Sequence, residues 1–225
     1  DNRIDYIFAD ANFDPSRLIL IENTAASSPA GYQGELSTDS LYFTLDAYIN
    51  ENYRLAAGVR SEKGEQMVNT YDVFQPVDSS IEKVLDEDYM LPSFTLTYLP
   101  DFDENLQFRL GVSQTIARPT FRELSPTFFI DVDTDRVIAG SLYLENSEID
   151  NIDLRAEYYW GFNQFMTAGI FFKDISKPIE EVVNESGDLI VTSYQNVPAA
   201  ELRGIELEYE RVFEDLMPNS NWGQS

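Results

Sequence analysis

Forty aspartates and glutamates face only 15 lysines and arginines in this 225-residue chain, giving a formal charge of -25, and there is neither histidine nor cysteine. Without those two residue types there are no Ser-His or Cys-His nucleophile pairs, no usual zinc sites and no disulfides. So acidic a field repels nucleic acid and offers it no basic patch, so nucleic acid is not an expected partner. What remains is carboxylate, arginine and aromatic chemistry. Asp131, Asp133 and Asp135 have the spacing that opens an EF-hand loop, yet the sixth position is Arg136 instead of Gly and the twelfth is Leu142 instead of Glu. They read as a solvated acidic loop able at most to take calcium opportunistically. A glycosidase needs two carboxylates at a set separation, and nothing singles out a pair among so many acids. Phe128, Phe129 and Tyr143, all in the irregular stretch 118–151, could stack on a ligand, a sugar or a chelator, or on one another.

The elements that must position these residues are strands. At 43% hydrophobic and 13% aromatic the chain is too apolar for disorder, and one domain is the simplest reading. No apolar run approaches the roughly 18 residues of a membrane helix, but barrel strands need only about 9–11 and conceal their hydrophobicity by alternation. That alternation is clear. Leu41, Phe43, Leu45, Ala47 and Ile49 oppose Tyr42, Thr44, Asp46 and Tyr48; after a turn at Asn50, Glu51 and Asn52, Tyr53, Leu55, Ala57 and Val59 oppose Arg54, Gly58, Arg60 and Glu62. A second hairpin sets Phe94, Leu96 and Tyr98, then Leu106, Phe108, Leu110, Val112 and Ile116, against Ser93, Thr95, Thr97, Gln107, Arg109, Ser113 and Thr115. A third, turning at residues 161–164, sets Ile152, Leu154, Ala156, Tyr158 and Trp160, then Met166, Ala168, Ile170 and Phe172, against Asp153, Arg155, Glu157, Phe171 and Lys173. The last clear strand opposes Ile205, Leu207 and Tyr209 to Glu206, Glu208 and Glu210. This period of two gives each strand one oily and one wet side.

Long irregular segments at 63–87, 118–151 and 175–200 separate the hairpins, the last with a small hairpin expected around residues 185–188. Residues 1–31 read as a strand remnant and a loop. Aromatics cluster beside the short turns: Tyr48 and Tyr53, Tyr98 and Phe102, Trp160, Phe162 and Phe165, then Phe213 and Trp222. Alternation alone fits a soluble antiparallel sandwich, an acidic binding or glycan-hydrolysing module, as well as it fits a membrane barrel. Aromatic girdles combined with a short–long loop rhythm favour the barrel, with short periplasmic turns, long extracellular loops and outward apolar residues toward lipid.

These features together resemble the barrel portion of a TonB-dependent outer-membrane receptor. The resemblance lies in VSQTIARPTFRELSP (112–126), NIDLRAEYYWGFNQFMTAGIFFKDISKPIEEV (151–182), NVPAAELRGIELEYERVF (196–213) and, more loosely, LYFTLDAYINENYRLAAGVRSEKGE (41–65). Matching positions include Ser113, Arg118 and Pro119; Asp153, Leu154, Glu157 and Tyr158; Lys173, Asp174 and Ile175; and Gly204, Glu206 and Glu208. The resemblance implies a Gram-negative outer-membrane receptor, not an enzyme and with no cofactor, that imports a scarce nutrient such as a siderophore, a cobalamin or an oligosaccharide. Its implied partners are membrane lipid, a plug domain, the TonB complex acting through that plug, and the small nutrient. About seven or eight strands can be placed, with no plug, energy-coupling box or terminal aromatic, so residues 1–225 are expected to be an interior part of a larger barrel.

Within that reading Arg118 ends a lumen-lining strand, where it could meet plug carboxylates or substrate, or simply satisfy nearby acids such as Glu123. Arg122, Phe128, Phe129 and Tyr143 join it as candidate ligand-binding residues. Arg109, Arg155, Glu157, Lys173, Glu206 and Glu208 face the lumen as a charge network. Asn184-Glu185-Ser186 is a glycosylation sequon in form only.

Overall fold

The structure is a computed structural model that describes residues 31–71, 82–131, 136–186 and 189–212. The expected elements in residues 1–30, the side chains of Asp131, Asp133 and Asp135, and the turn with Phe213 and Trp222 lie outside what it describes. In chain order the elements are β1 (Gly31–Tyr48), β2 (Tyr53–Tyr71), β3 (Glu82–Tyr98), β4 (Leu106–Ala117), α1 (Phe121–Leu124), β5 (Phe128–Asp131), β6 (Arg136–Ala139), β7 (Ser147–Gly161), β8 (Gln164–Ser176), β9 (Ile179–Ser186), β10 (Leu189–Asn196) and β11 (Ala199–Glu210). Seven strands form one antiparallel meander in the order β1-β2-β3-β4-β7-β8-β11, and β5-β6-β10-β9 form a smaller sheet.

Pairing aligns the apolar sides of all seven strands. Ala47, Leu55, Leu96, Leu110, Leu154, Ile170 and Ile205 are successive register partners, an apolar row across the whole sheet. The next row along the strands, Thr97, Arg109, Arg155, Gly169 and Glu206, points the other way and is polar. A slip of one residue would move the polar side of a strand into the apolar row, bringing in Asp46, Arg54, Arg109, Arg155 or Glu206 on β1, β2, β4, β7 or β11, which is why the register is single-valued. Apolar outward residues run from Met90 to Tyr98 on β3, about nine residues, the length a barrel strand needs to cross a bilayer.

Short turns close one end. Asn50 Oδ1 accepts from the backbone N–H of Asn52 and of Tyr53, both at 2.9 Å, and Asn52 Nδ2 reaches the Leu99 carbonyl at 2.9 Å, tying the first turn to the second. The third turn is Phe162-Asn163, with Asn163 at φ 54°, a left-handed conformation that Asn tolerates because its short amide bonds locally. On the outer side of this end the rings of Tyr53 and Tyr98 stack at 5.0 Å, Tyr98 and Phe108 at 6.3 Å, and Trp160 and Tyr209 at 5.6 Å. The girdle differs from the sequence expectation in membership. Tyr48 and Phe165 fall on the polar side of their strands, Phe165 against Tyr159 and Tyr48 beneath the Arg54 guanidinium.

At the other end the strands run well beyond the apolar belt. Of the stretch 63–87, expected to be irregular, residues 63–71 are instead the upper half of β2 and residues 82–87 the start of β3, paired from Asn69↔Glu82 onward, while 72–81 lie outside the described residues. Above Val59 the outer side carries Ser61, Lys63 and Glu65, and Lys63 pairs with Asp86 at 3.4 Å. The outer face is polar there, so the alternation fades although backbone pairing continues. The hairpin expected at 185–188 is β9–β10, closed at Ser186↔Leu189, and it joins the small sheet through a parallel β6–β10 contact. Under that sheet Val68, Leu85, Leu124 and Leu144 form a buried cluster with Phe121, Ile179 and Tyr194 against it.

Candidate functional site

Solvent exposure inverts the usual order. On the apolar side Leu154 is 46% exposed and Ile205 76%, whereas on the polar side Glu157 is 2% exposed and Thr167 and Asn151 are buried. An antiparallel sheet in a soluble sandwich would bury Leu154 and expose Glu157. Here the oily face looks outward and the charged face lines the inside, as a barrel wall in lipid requires.

Glu157 organises the inner wall. Register places Arg109 directly beside Arg155, a like-charge neighbour pair that is unfavourable by itself. Glu157 offsets it: one of its carboxylate oxygens lies 3.4 Å from Arg109 Nη2, the other 3.5 Å from Arg155 Nε. Tyr159 Oη donates to the same carboxylate at 2.9 Å, and Gln107 Nε2 donates to it as well. Arg155 continues the network to Thr167 Oγ1 at 3.0 Å and to Glu208 at 3.2 Å. Gly169 stands between Arg155 and Glu206 in their row, and Gly111 lies beside Asp153, both with room for a side chain that is absent. The result is a hollow of about 380 Å³ whose charged rim includes Arg109, Asp153, Arg155 and Glu206. Lys173 lies higher on the same face, paired in register with Asn151.

The candidate ligand residues sit at the strand ends opposite the short turns. Arg118 bonds Glu62 at 2.7 Å and is largely buried. Its partner is therefore Glu62 and not Glu123, which caps α1: Thr120 Oγ1 accepts from the Glu123 N–H at 3.3 Å while the Glu123 carboxylate accepts from the Thr120 N–H at 2.6 Å. Arg118 and, next, Arg60 at 2.7 Å hold the Glu62 carboxyl below the usual range, against the opposing effect of burial. Arg122 lies over the Phe129 ring with its guanidinium carbon 3.4 Å from the centroid, a cation–π contact. Phe128, next on β5, is exposed on the other side of the strand. Tyr143, 91% exposed, belongs to a separate shallow hollow with Lys177, Gln195 and Pro198. There Asn196 Nδ2 donates to the carbonyls of Glu145 at 3.0 Å and Lys177 at 2.7 Å, Asn196 Oδ1 accepts from the Glu145 N–H at 2.8 Å, and Lys177 Nζ pairs with Glu145. The structure thus places Arg122 with Phe129, Arg118 with β2, and Tyr143 apart from both. Among the described residues no three acids converge on a metal position.

A family model described as TonB dependent receptor-like, beta-barrel, matches residues 4–224. The chain belongs to this family. TonB-dependent receptors are transport receptors of the Gram-negative outer membrane, and the inside-out sheet is their transmembrane wall. Two solved receptors share the fold. The Serratia marcescens hemophore receptor HasR, in complex with its hemophore HasA and heme, is 13% identical with a TM-score of 0.58, over 77% of this chain and 31% of that one. The siderophore receptor PiuA from Acinetobacter baumannii is 16% identical with a TM-score of 0.56, over 79% of this chain and 23% of that one. The chain therefore spans about a quarter to a third of these receptors. No curated protein matches the sequence.

The partner of Arg118 could not be read from the sequence. Glu62, 56 residues upstream, bonds Arg118, Gln66, 53 residues upstream, bonds the Pro119 carbonyl, and Gly64 lies between them; no local pattern connects them. Thr120-x-x-Glu123, in contrast, is a capping-box signature visible in the sequence.

Proposed function

We propose that this chain forms part of the barrel of an outer-membrane receptor that binds a scarce nutrient outside the cell and imports it with energy passed from the TonB complex through a plug domain. The observation that carries this reading is the inverted sheet, with Leu110, Leu154, Ile170 and Ile205 outward and Arg109, Arg155, Glu157 and Glu206 inward. A charged inner wall keeps a lumen wet and offers polar partners to a plug. The chain then contributes no catalytic step. For the nutrient we favour a siderophore-type iron carrier over a cobalamin or an oligosaccharide, because solved receptors of like fold include a siderophore receptor and a hemophore receptor. In this reading Arg122, Phe128, Phe129 and Tyr143 are ligand-facing groups on the outer loops, with Arg122 already held over an aromatic ring.

Orientation and binding test this together. A membrane-impermeant thiol label at Thr127→Cys in the full-length protein should react on intact cells and one at Asp103→Cys should not. The purified receptor should quench on adding a ferric siderophore and not on adding cobalamin or maltooligosaccharide. Labelling at Asp103, or saturable binding of cobalamin or sugar alone, would contradict the topology or the nutrient assignment respectively.

A further inference from the structure

Above the apolar belt the wall is split. β3 and β4 pair only between Ser93↔Ser113 and Tyr98↔Phe108, although β3 continues upward beside β2 and β4 continues upward beside β7 to Ala117↔Ser147. Pro92 stands where the pairing stops. A proline has no N–H to give to a ladder, so a central strand that contains one loses pairing on one side. The rim therefore divides into the upper parts of β1, β2 and β3 on one side and β4, β7, β8 and β11 on the other.

The chain leaving β4 crosses this division. Arg118 bonds Glu62 on β2 at 2.7 Å, and Gln66 Nε2 on β2 donates to the Pro119 carbonyl at 2.7 Å. Gly64, between them, leaves the space that the Arg118 guanidinium fills, so that a Cβ there would push the guanidinium aside, and Gly34 on β1 clears the same kind of space for the Phe121 ring. The return segment is tied by Asn146 Nδ2, which donates to Tyr89 Oη on β3 at 3.0 Å, and by Leu144 packing in the cluster with Val68 and Leu85. Two emptied backbone positions and three long-range hydrogen bonds thus tie this segment to β1, β2 and β3.

We propose that residues 118–125 are a brace across the split, and that the Arg118–Glu62 clasp is a positioning pair that sets the gap between β3 and β4 and so the width of the outer mouth. The two halves share no ladder above Ser113, so their separation is set by the brace together with the return-segment ties at Asn146 and Leu144. The proposal needs the wall to be a barrel rim but does not depend on which nutrient enters it.

The test is a spin–spin distance in the full-length protein in lipid. This chain has no cysteine, so once any cysteine elsewhere in the full-length protein is replaced, labels go only where cysteines are introduced: at Asp88 on β3 and Gln114 on β4, flanking the split, and, as a control, at Asp150 and Asp174, register partners within the continuous β7–β8 ladder. Arg118→Ala and, without touching either charge, Gly64→Val should each lengthen and broaden the Asp88–Gln114 distance and leave the control distance unchanged, and Arg118→Lys should restore the narrow distribution. Glu62→Gln serves if either stronger variant does not assemble into a heat-modifiable barrel. An unchanged Asp88–Gln114 distance in every assembled variant, or an equal change in the control pair, would overturn the proposal. Failure of ligand binding would count against the receptor reading and leave the brace standing.

Discussion

Leu154→Arg puts a charge at the centre of the outward apolar row, with Leu110 and Ile170 as its register neighbours. Were this face solvent-exposed, replacing a side chain already 46% exposed would change stability by less than roughly 0.5 kcal/mol. Facing the bilayer midplane, the same substitution costs about 2–4 kcal/mol. At about 1.4 kcal/mol per tenfold, that is roughly a 30- to 700-fold fall in the folded-to-unfolded ratio. Ser113→Arg is the control, since Ser113 lines the inner hollow on the opposite face and its cost should stay under roughly 1 kcal/mol. The assay is reversible urea unfolding of the full-length protein in thin lipid vesicles, followed by gel mobility of unheated samples. Equal stabilities for Leu154→Arg and wild type, or a larger loss for Ser113→Arg, would refute the assignment of faces.

Other consequences are open to measurement. Glu157→Gln leaves Arg109 and Arg155 side by side without their shared counter-charge; a loss of about 1–3 kcal/mol is expected in the same unfolding assay, and Arg155→Gln in the Glu157→Gln background should recover part of it. Glu62 has a folded pKa below its ordinary value, so the stability it gives the outer loops is complete above about pH 4.5 and is lost as pH falls through the lower folded value. Protease resistance of the 118–146 segment should therefore persist at pH 5 and fall only in stronger acid, and should become independent of pH in this range in Glu62→Gln. Gly140→Val forces a side chain against the carbonyls of Arg122, Glu123 and Ser125, which should open the outer loops by about 1–3 kcal/mol, seen as faster hydrogen exchange at the Gly140 and Ser141 amides while the exchange of β7 and β8 is unchanged.

How much of this was legible depended on what lay on the two sides of each strand. Within the apolar belt every face assignment follows from period two, because one side meets oil and the other water; Leu106 to Val112 against Gln107 to Ser113 is the clearest case. Above the belt the outer side is wet, and the inner side packs polar and apolar residues together beneath the small sheet. Lys63, Glu65, Asp86 and Asp88 outward and Glu62, Gln66 and Tyr89 inward erase the alternation, so strands of 19 and 17 residues read as partly irregular. The site was less legible than the fold. Arg118 could be recognised as a special charge at the end of a strand, yet its partner comes from another hairpin: Glu62, Gly64 and Gln66 alternate along one face of β2, and only the chain leaving β4 and crossing to β2 brings Arg118 and Pro119 to them. Tyr143 and Phe129 look alike in sequence. One is exposed on the rim, and the other is half-buried under Arg122, a difference set by the small sheet that no local pattern foretold.

The inverted sheet is the claim on which the rest depends, and collision accessibility along β4 measures it directly. Single spin labels at each position from Gln107 to Ser113, in the full-length protein in vesicles, should show high oxygen and low nickel-chelate accessibility at positions 108, 110 and 112, and reduced oxygen accessibility at 107, 109, 111 and 113, a period of two in phase with the apolar row. Oxygen accessibility that is flat along the strand, or highest at the Arg109 positions, would contradict it.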